Sequence, residues 1–301
     1  MFRIISDRHN ATGQPYHWTQ PADRDRQVLF IDQTPADCML VLNGDGWDGW
    51  SFPYNIRPPT FLEVVTHPFG QPVVEACRRR VGMLTVLAGN HDQRLTGQLL
   101  ATILPDAHFI PTGSLGVGST VITHGHLQAL MNAPDWSVAY GLPLGYHLTR
   151  LATACGGPSL VQEMELLAEI PTHGLPVAIL DVLRKRAGLE WSANILMPDD
   201  LGGGQVSLSD VRDRYEDLVG RWDRFRGVAA TIWGLPAELG HLEPAADQLF
   251  LAGAKTVIMG HTHVPVRTEH LGLVYANSGS WCCGQGSWVG IDDNGTVTLH
   301  T

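Results

Sequence analysis

The most informative stretch of this 301-residue chain reads Met83-Leu84-Thr85-Val86-Leu87-Ala88-Gly89-Asn90-His91-Asp92. The apolar run over residues 83–88 predicts a buried strand, because short apolar runs that stop at glycine are typical of strands inside α/β sheets. An amide, an imidazole and a carboxylate follow Gly89 in succession. Binding residues of α/β proteins commonly lie at the carboxyl ends of strands. Residues 89–92 are therefore the first candidate for a functional site.

Four other short polar clusters follow predicted strands, namely Asp7-Arg8-His9, Gly44-Asp45, His124-Gly125-His126 and Gly260-His261-Thr262-His263. Residues two apart in a strand face the same side, so Asp7 and His9 are expected to reach one metal ion. Gly44 permits a sharp exit from its strand, and Asp45 is then free to bridge two cations. Each cluster alone is also explained by turn formation. Together the clusters provide the donors that a site for two metal ions needs.

The clusters, in their order along the chain, resemble the motifs of the calcineurin-like metallophosphoesterases. The resemblance covers about residues 1–126 and 255–281. It implies an α/β fold of the metallo-dependent phosphatase type, a four-layer α/β/β/α sandwich with two mixed β-sheets. We expect the core to comprise residues 1–126 and 255–301, and residues 127–254 to form a helical insertion that caps the metal site.

The resemblance also implies a role for each polar residue. One metal ion would be held by Asp7, His9 and His263, a second by Asn90, His124 and His261, and Asp45 would bridge the two. His91 would not be a ligand but would stabilise the transition state or protonate the leaving oxygen, and Asp92 would orient it. His126 would contact substrate or line the rim of the site. Asp48 is either an acceptor that orients another side chain or a turn residue.

The expected function is hydrolysis of a phosphoester by a metal-bridging hydroxide, with a phosphodiester or pyrophosphate of a nucleotide-like or nucleotide-linked small molecule as the first choice of substrate. The mixed oxygen and nitrogen donors favour manganese, with iron, zinc, nickel or magnesium as alternatives. The motif Gly44-Asp45-x-x-Asp48-x-Trp50 and the stretch over residues 275–281 resemble the broader group around the UDP-diacylglucosamine hydrolases, although the hydrolase itself has Arg where this chain has His91. A phosphomonoesterase or protein phosphatase and a catalytically silent scaffold are the alternatives.

Composition limits the partners. A formal charge of −10 and a pI near 5.7 argue against general nucleic-acid binding, which needs clustered Lys and Arg. Five cysteines without a Cys-x-x-Cys pair, together with the absence of a signal-peptide pattern at the start, lead us to expect a reducing cytoplasmic setting. No apolar run has the length of a membrane span, and the oligomeric state is not indicated by any motif.

Two regions are predicted from their pattern alone. Residues 11–36 are rich in Pro, Gln, Asp and Arg and are expected to form a long loop with one short strand at Gln27–Ile31. Within the insertion, apolar periodicity predicts helices over residues 144–154, 160–170, 177–187, 208–225 and 244–252. Apolar residues on such helices are more often packing than a ligand groove.

Overall fold

The computed structural model describes residues 1–129, 131–157, 175–226 and 243–301. Up to residue 123 the elements are β1 (Phe2–Ile5), α1 (Pro21–Gln33), β2 (Met39–Asn43), α2 (Phe61–Thr66), α3 (Gln71–Arg78), β3 (Leu84–Leu87), α4 (Gly97–Ile103), β4 (His108–Ile110), β5 (Ser114–Val117) and β6 (Thr120–Thr123). The later described residues form α5 (Leu144–Cys155), α6 (Leu175–Arg186), β7 (Asn194–Leu196), β8 (Gln205–Ser207), α7 (Leu208–Arg226), α8 (Glu243–Leu251), β9 (Thr256–Met259), β10 (Val266–His270), β11 (Leu273–Asn277), β12 (Trp288–Ile291) and β13 (Val297–His300).

The strands of the core form two mixed sheets. The six-stranded sheet has the order β13-β12-β1-β2-β3-β4, in which β1 to β4 are parallel and β12 and β13 are antiparallel to their neighbours. The five-stranded sheet has the order β10-β11-β9-β6-β5, with β11, β9 and β6 parallel and an antiparallel strand at each edge. The carboxyl ends of β1, β2, β3, β6 and β9 carry the five polar clusters.

The two sheets pack face to face, and helices cover their outer faces. Val41 and Leu87 lie in the apolar layer between the sheets, together with residues of the second sheet such as Ile258. The neighbours of Val41 in β2, Leu40 and Leu42, point the other way, into the layer formed with α1 to α4, as strand alternation requires. Helix α8 covers the second sheet. The four-layer α/β/β/α sandwich predicted from the sequence is confirmed.

Helices α5, α6 and α7 and the β7–β8 hairpin share an apolar cluster of their own. Arg150 of α5 is buried and ties this part of the chain to the core, because its guanidinium donates hydrogen bonds to the carbonyls of Phe52, Pro53 and Ile56. The helices predicted over 144–154, 177–187, 208–225 and 244–252 correspond to α5, α6, α7 and α8. The helix predicted over residues 160–170 lies outside the described residues.

The prediction of a loop with one strand over residues 11–36 is wrong, because Pro21–Gln33 is the helix α1. Gln20 and Asp23 form a capping box at its start, and proline occupies the first turn, where its missing N–H costs nothing. The buried face of α1 includes Asp23 and Gln27 beside Phe30 and Ile31. Two of these four inward positions are polar, so the apolar periodicity that would indicate a helix is lost.

No helix within the described ranges combines the length and the apolar content that crossing a bilayer requires.

Candidate metal centre

The five polar clusters predicted from the sequence converge where the two sheets meet. The amide of His261 donates to Asp7 Oδ2 at 2.9 Å, and the amide of His9 donates to the carbonyl of Asp45 at 2.9 Å. The amide of Gly260 donates to the carbonyl of His124 at 3.0 Å. These bonds join loops that are up to 254 residues apart in sequence. Backbone amides therefore fix the loops against one another, with the Asp7 carboxylate accepting one of the bonds.

The backbone of these loops differs from the extended conformation expected from the sequence. Strand β1 ends at Ile5, and five of the predicted ligands have left-handed φ angles between 45° and 73°: Asp7, His9, Asp45, His261 and His263. Asp and His enter this region more often than most residues, but it is uncommon for any side chain other than glycine. The expectation that strand alternation points Asp7 and His9 to one side is thus wrong; a left-handed loop does so instead.

The first group of donors comprises Asp7, His9 and His263. His9 Nε2 lies 3.0 Å from His263 Nε2, and Asp7 Oδ1 lies 3.3 Å from His263 Nε2 and 3.8 Å from His9 Nε2. The structure brings the three together with a spacing at which one cation could be held by all of them. They are the residues assigned to the first metal ion by the sequence resemblance.

The second group comprises Asp45, His124 and His261. Asp45 Oδ2 lies 3.2 Å from His124 Nε2 and 3.9 Å from His9 Nε2, so its carboxylate stands between the two groups. Asn90 is buried near them, and its side-chain amide donates to Asn132 Oδ1 at 3.4 Å. Asn132 Nδ2 lies 3.4 Å from His261 Nε2. Sequence reasoning missed Asn132, because it lies in an interval without any motif.

Close packing of the loops depends on glycine. A Cβ atom at Gly89 would lie 2.2 Å from Asp45 Oδ1 and 2.6 Å from the Asp45 amide nitrogen. A Cβ at Gly260 would lie 2.7 Å from Asp7 Oδ2. Both distances are far below van der Waals contact, so glycine is needed here for close approach and not for flexibility.

The chemistry of the donors fits divalent cations. Asp7 Oδ1, Asn90 Oδ1 and His124 Nε2 are buried and have no hydrogen-bond partner among the described residues. Buried polar atoms normally have a partner, so each of these three atoms needs an explanation. Carboxylate, amide and imidazole donors suit catalytic manganese, iron, nickel or zinc ions. The absence of a thiolate among them is not typical of a structural zinc site. The residues present therefore fit the metal ions implied by the resemblance.

The charges of the protein itself also favour a cation. Burial opposes a charge on His124, but the carboxylates of Asp45 and Asp7 overcome this and raise the pKa of His124 to about 10. Burial likewise opposes the charge of Asp7, yet His124 and His263 lower the pKa of Asp7 to about 2. The carboxylates thus remain ionised and attract positive charge. A metal ion that replaces the proton of His124 would satisfy the same attraction.

His91 is held by Asp48 and Trp50. Its Nδ1 lies 2.8 Å from Asp48 Oδ1, and its ring stacks on Trp50 with 4.4 Å between ring centroids. Asp48 is fully buried, and its other oxygen lies 3.6 Å from His9 Nδ1. The same carboxylate also accepts the amides of Trp50 and Ser51. Both readings of Asp48 therefore apply, as an orienting acceptor and as a turn residue.

The orienting contact predicted for Asp92 is made by Asp48. Both oxygens of Asp92 accept backbone amides, those of Gly89 at 2.6 Å and Gly46 at 2.7 Å being the shortest. The amides of Asp45 and Trp47 add longer contacts. Asp92 thus holds the loop that carries Asp45. Burial and the charge of Asp45 raise the pKa of Asp92 to about 6.

His126, expected at the rim or against substrate, is 5% exposed at the start of a short 3-10 helix. Its ring centroid lies 5.4 Å from that of His124. Burial, with His124 next in effect, lowers the pKa of His126 well below its ordinary value, so the ring is neutral near pH 7. In the structure this histidine packs beside a predicted ligand and is not part of an open rim.

His91 also forms a compact group with His9 and Asp45 that could hold a metal ion. Its assignment as a proton donor therefore depends on the sequence resemblance and on its contact with Asp48.

Comparisons with known proteins add little beyond this geometry. No protein-family model matches the chain, and no curated protein matches it. Among solved structures, a protein assigned as a 5′-nucleotidase from Staphylococcus aureus matches all of this chain with 13% identity and a TM-score of 0.34, and this chain spans 52% of its length. Phosphopantetheinyl hydrolase from Mycobacterium tuberculosis matches 93% of this chain with 14% identity and a TM-score of 0.34, and this chain spans 89% of its length. Similarity at this level carries no argument, so the functional case depends on the site.

Proposed function

We propose that this protein hydrolyses a phosphoester with two divalent metal ions, manganese being the first choice. The preferred substrate class is a phosphodiester or pyrophosphate of a nucleotide-like or nucleotide-linked small molecule. The observation that carries the proposal is the carboxylate of Asp45, which stands between two groups of buried donors. Two-metal sites use such a bridging position to hold cations about 3.5 to 4 Å apart.

The residues that would hold the first cation are Asp7, His9 and His263, and those for the second are Asn90, His124 and His261, with Asp45 shared. When bound, two such cations supply Lewis-acid activation of the phosphoryl group and a nucleophile at neutral pH. They also compensate the negative charge that the protein and an anionic substrate would otherwise bring together. The protein contributes the fixed geometry of the donors.

The part of His91 in the proposal is to hold a proton for the leaving oxygen. Its Nδ1 is engaged by Asp48, so Nε2 is the ring atom that would carry this proton. Burial opposes the charged ring, but Asp48 and Asp45 outweigh it and raise the pKa of His91 above its ordinary value. This shift favours the protonated imidazole that a general acid requires.

We further propose residues 127–254 as a cap on the metal site. What supports this is Asn132, which contacts both Asn90 and His261 from within that segment. Arg150 attaches α5 of the same segment to the loop after β2.

The test is to strip the protein with a chelator, reload it with manganese, and measure bound metal by mass spectrometry. Hydrolysis of bis(p-nitrophenyl) phosphate and p-nitrophenyl phosphate is then followed. We expect two manganese ions per chain and faster turnover of the diester. Asp45→Asn should lower the metal content, while Asp37→Asn, at an exposed aspartate, is the matched control.

Other outcomes would contradict the proposal in distinguishable ways. Fewer than two ions in the wild-type protein would remove the dinuclear site. Faster turnover of the monoester would favour a phosphomonoesterase. Two bound ions without turnover of either ester would favour a catalytically silent scaffold.

A further inference from the structure

A cavity of about 150 Å³ lies beside the metal centre, between the cap and the loop that precedes α1. Its walls include Trp18, Met131, Asn132, Leu148, Ala152 and Leu183. Helix α5 therefore forms one side of the cavity, through Leu148 and Ala152, and α6 contributes Leu183. The sequence favoured packing over a ligand groove for the apolar residues of this segment.

Two of the wall residues contact the predicted metal ligands. The ring of Trp18 lies 5.7 Å from that of His9 and 5.1 Å from that of His263, measured between centroids. Asn132 lies on the other side, with 3.4 Å contacts to Asn90 and His261. One wall thus adjoins the first group of ligands and another adjoins the second. A substrate whose phosphoryl group is held at the centre would have its neighbouring substituent at the mouth of this cavity.

The lining of the cavity has no charged residue among those that the structure describes. Its polar members are Asn132, Thr149 and Thr153, and the hydroxyl of Thr153 donates to the carbonyl of Thr149 within α5. A second phosphate or a carboxylate would therefore find no counter-ion there, and its burial would be costly. An uncharged and largely apolar group would lose water at no such cost.

The volume between these walls indicates the size of the group that they would surround. Cavities of about 150 Å³ with apolar walls accommodate a single benzene ring. A long acyl chain would extend well beyond such a space. The size therefore favours one compact ring over the lipid tails that the resemblance to the UDP-diacylglucosamine hydrolases would suggest.

We propose that this cavity binds one ester substituent of the substrate, and that this substituent is a compact, uncharged ring. The proposal rests on the proposed phosphoesterase function and narrows its substrate class. The natural substrate would then be a phosphoester with one ring-bearing arm, and Trp18 and Ala152 would select that arm.

The test compares two diesters with the same leaving group, methyl 4-nitrophenyl phosphate and phenyl 4-nitrophenyl phosphate, on the manganese-loaded protein. We expect kcat/KM for the phenyl ester to exceed that for the methyl ester about 10-fold or more, because a ring buries more apolar surface than a methyl group. Ala152→Phe should fill the cavity and bring this ratio close to one. Ala154→Phe, the same change at an exposed position of α5 two residues away, should leave the ratio unchanged.

A second variant guards against misfolding of Ala152→Phe. Leu148→Ala enlarges the cavity. The ratio of kcat/KM for a 1-naphthyl ester to kcat/KM for the phenyl ester should therefore be higher in this variant than in wild type. Wild-type ratios near one, or equal ratios in Ala152→Phe and Ala154→Phe while turnover persists, would overturn the cavity proposal and leave the phosphoesterase function intact.

If no ester is turned over, the proposed function fails. The binding of a small ring compound then still tests the cavity proposal. Fluorobenzene, a neutral probe without metal-binding atoms, is titrated into the manganese-loaded protein and followed by ¹⁹F NMR. Binding to wild type and Ala154→Phe but not to Ala152→Phe supports the cavity as a ring site. Equal binding to all three, or binding to none, contradicts it.

Discussion

Substitution of Gly89 by alanine tests whether the position of Asp45 governs the metal centre. A Cβ at residue 89 would lie 2.2 Å from Asp45 Oδ1 and 2.6 Å from the Asp45 amide nitrogen. Since Cβ contacts below 3.0 Å do not persist, the carboxylate must move by about 1 Å. Displacements of about 1 Å at a reacting centre cost roughly 10²-fold in rate.

The overpacking also affects folding. Because the obstacle includes a backbone atom of Asp45, the neighbouring loop must shift with the carboxylate. Extra atoms forced into a packed interior typically cost about 1–3 kcal/mol. We therefore expect Gly89→Ala to lose this much free energy of unfolding, while weakening manganese binding.

The assays are thermal unfolding, a manganese titration by calorimetry, and kcat/KM on bis(p-nitrophenyl) phosphate. The matched control is Gly116→Ala in β5, where a Cβ would have open space and the residue is exposed. This control should match wild type in all three assays. The reasoning would be refuted if Gly89→Ala bound two manganese ions with wild-type affinity and turned over at the wild-type rate.

Three further substitutions address other parts of the structure. His91→Ala should keep both manganese ions but lose about 10²–10⁴-fold in kcat, with exposed His108→Ala as the control; metal loss in proportion to activity would instead make His91 a ligand. Asp48→Asn removes a carboxylate that raises the pKa of His91, so the general acid should lose its proton at lower pH. The alkaline limb of its pH–rate profile should move to lower pH than in wild type, and an unmoved limb would contradict the assignment. Arg150→Met removes the donor to the carbonyls of Phe52, Pro53 and Ile56 and should lower the free energy of unfolding by about 3 kcal/mol or more, whereas exposed Arg79→Met should change it little.

The sandwich could be predicted because its buried strands have continuous apolar sequences that end in polar clusters. Strands β2 and β3 are examples, and both sheets present their clusters at the carboxyl ends of their strands. Helix α1 could not be predicted in the same way, since Asp23 and Gln27 occupy its buried face. Gln27 donates to the carbonyls of Arg8 and Trp281, so its burial is stabilised by hydrogen bonds that no periodicity reveals.

The members of the site were predictable from the motifs, but several of their contacts were not. Asp48 and Asp92 are both carboxylates close to the motif residues, and either could have faced His91. Four backbone amides donate to Asp92 in the folded structure, and Asp48 is the carboxylate that contacts His91. Asn132 and Trp18 were not predicted, because no spacing rule connects them to the histidines that they contact.

The left-handed backbone of the predicted ligand loops adds to the free-energy cost of folding the candidate metal centre. Five of the predicted ligand residues occupy this region, and each such residue costs about 1–3 kcal/mol. Strain of this size persists only where the surroundings determine the conformation, and the bonds from His261 to Asp7 and from His9 to Asp45 supply part of that determination. The buried atoms of Asp7, Asn90 and His124 that lack hydrogen-bond partners add a further cost. Cations bound by these atoms would offset it, because metal binding by a preformed set of donors adds its free energy to that of folding. The same features that make the centre costly to fold without ions would therefore make it ready to bind them.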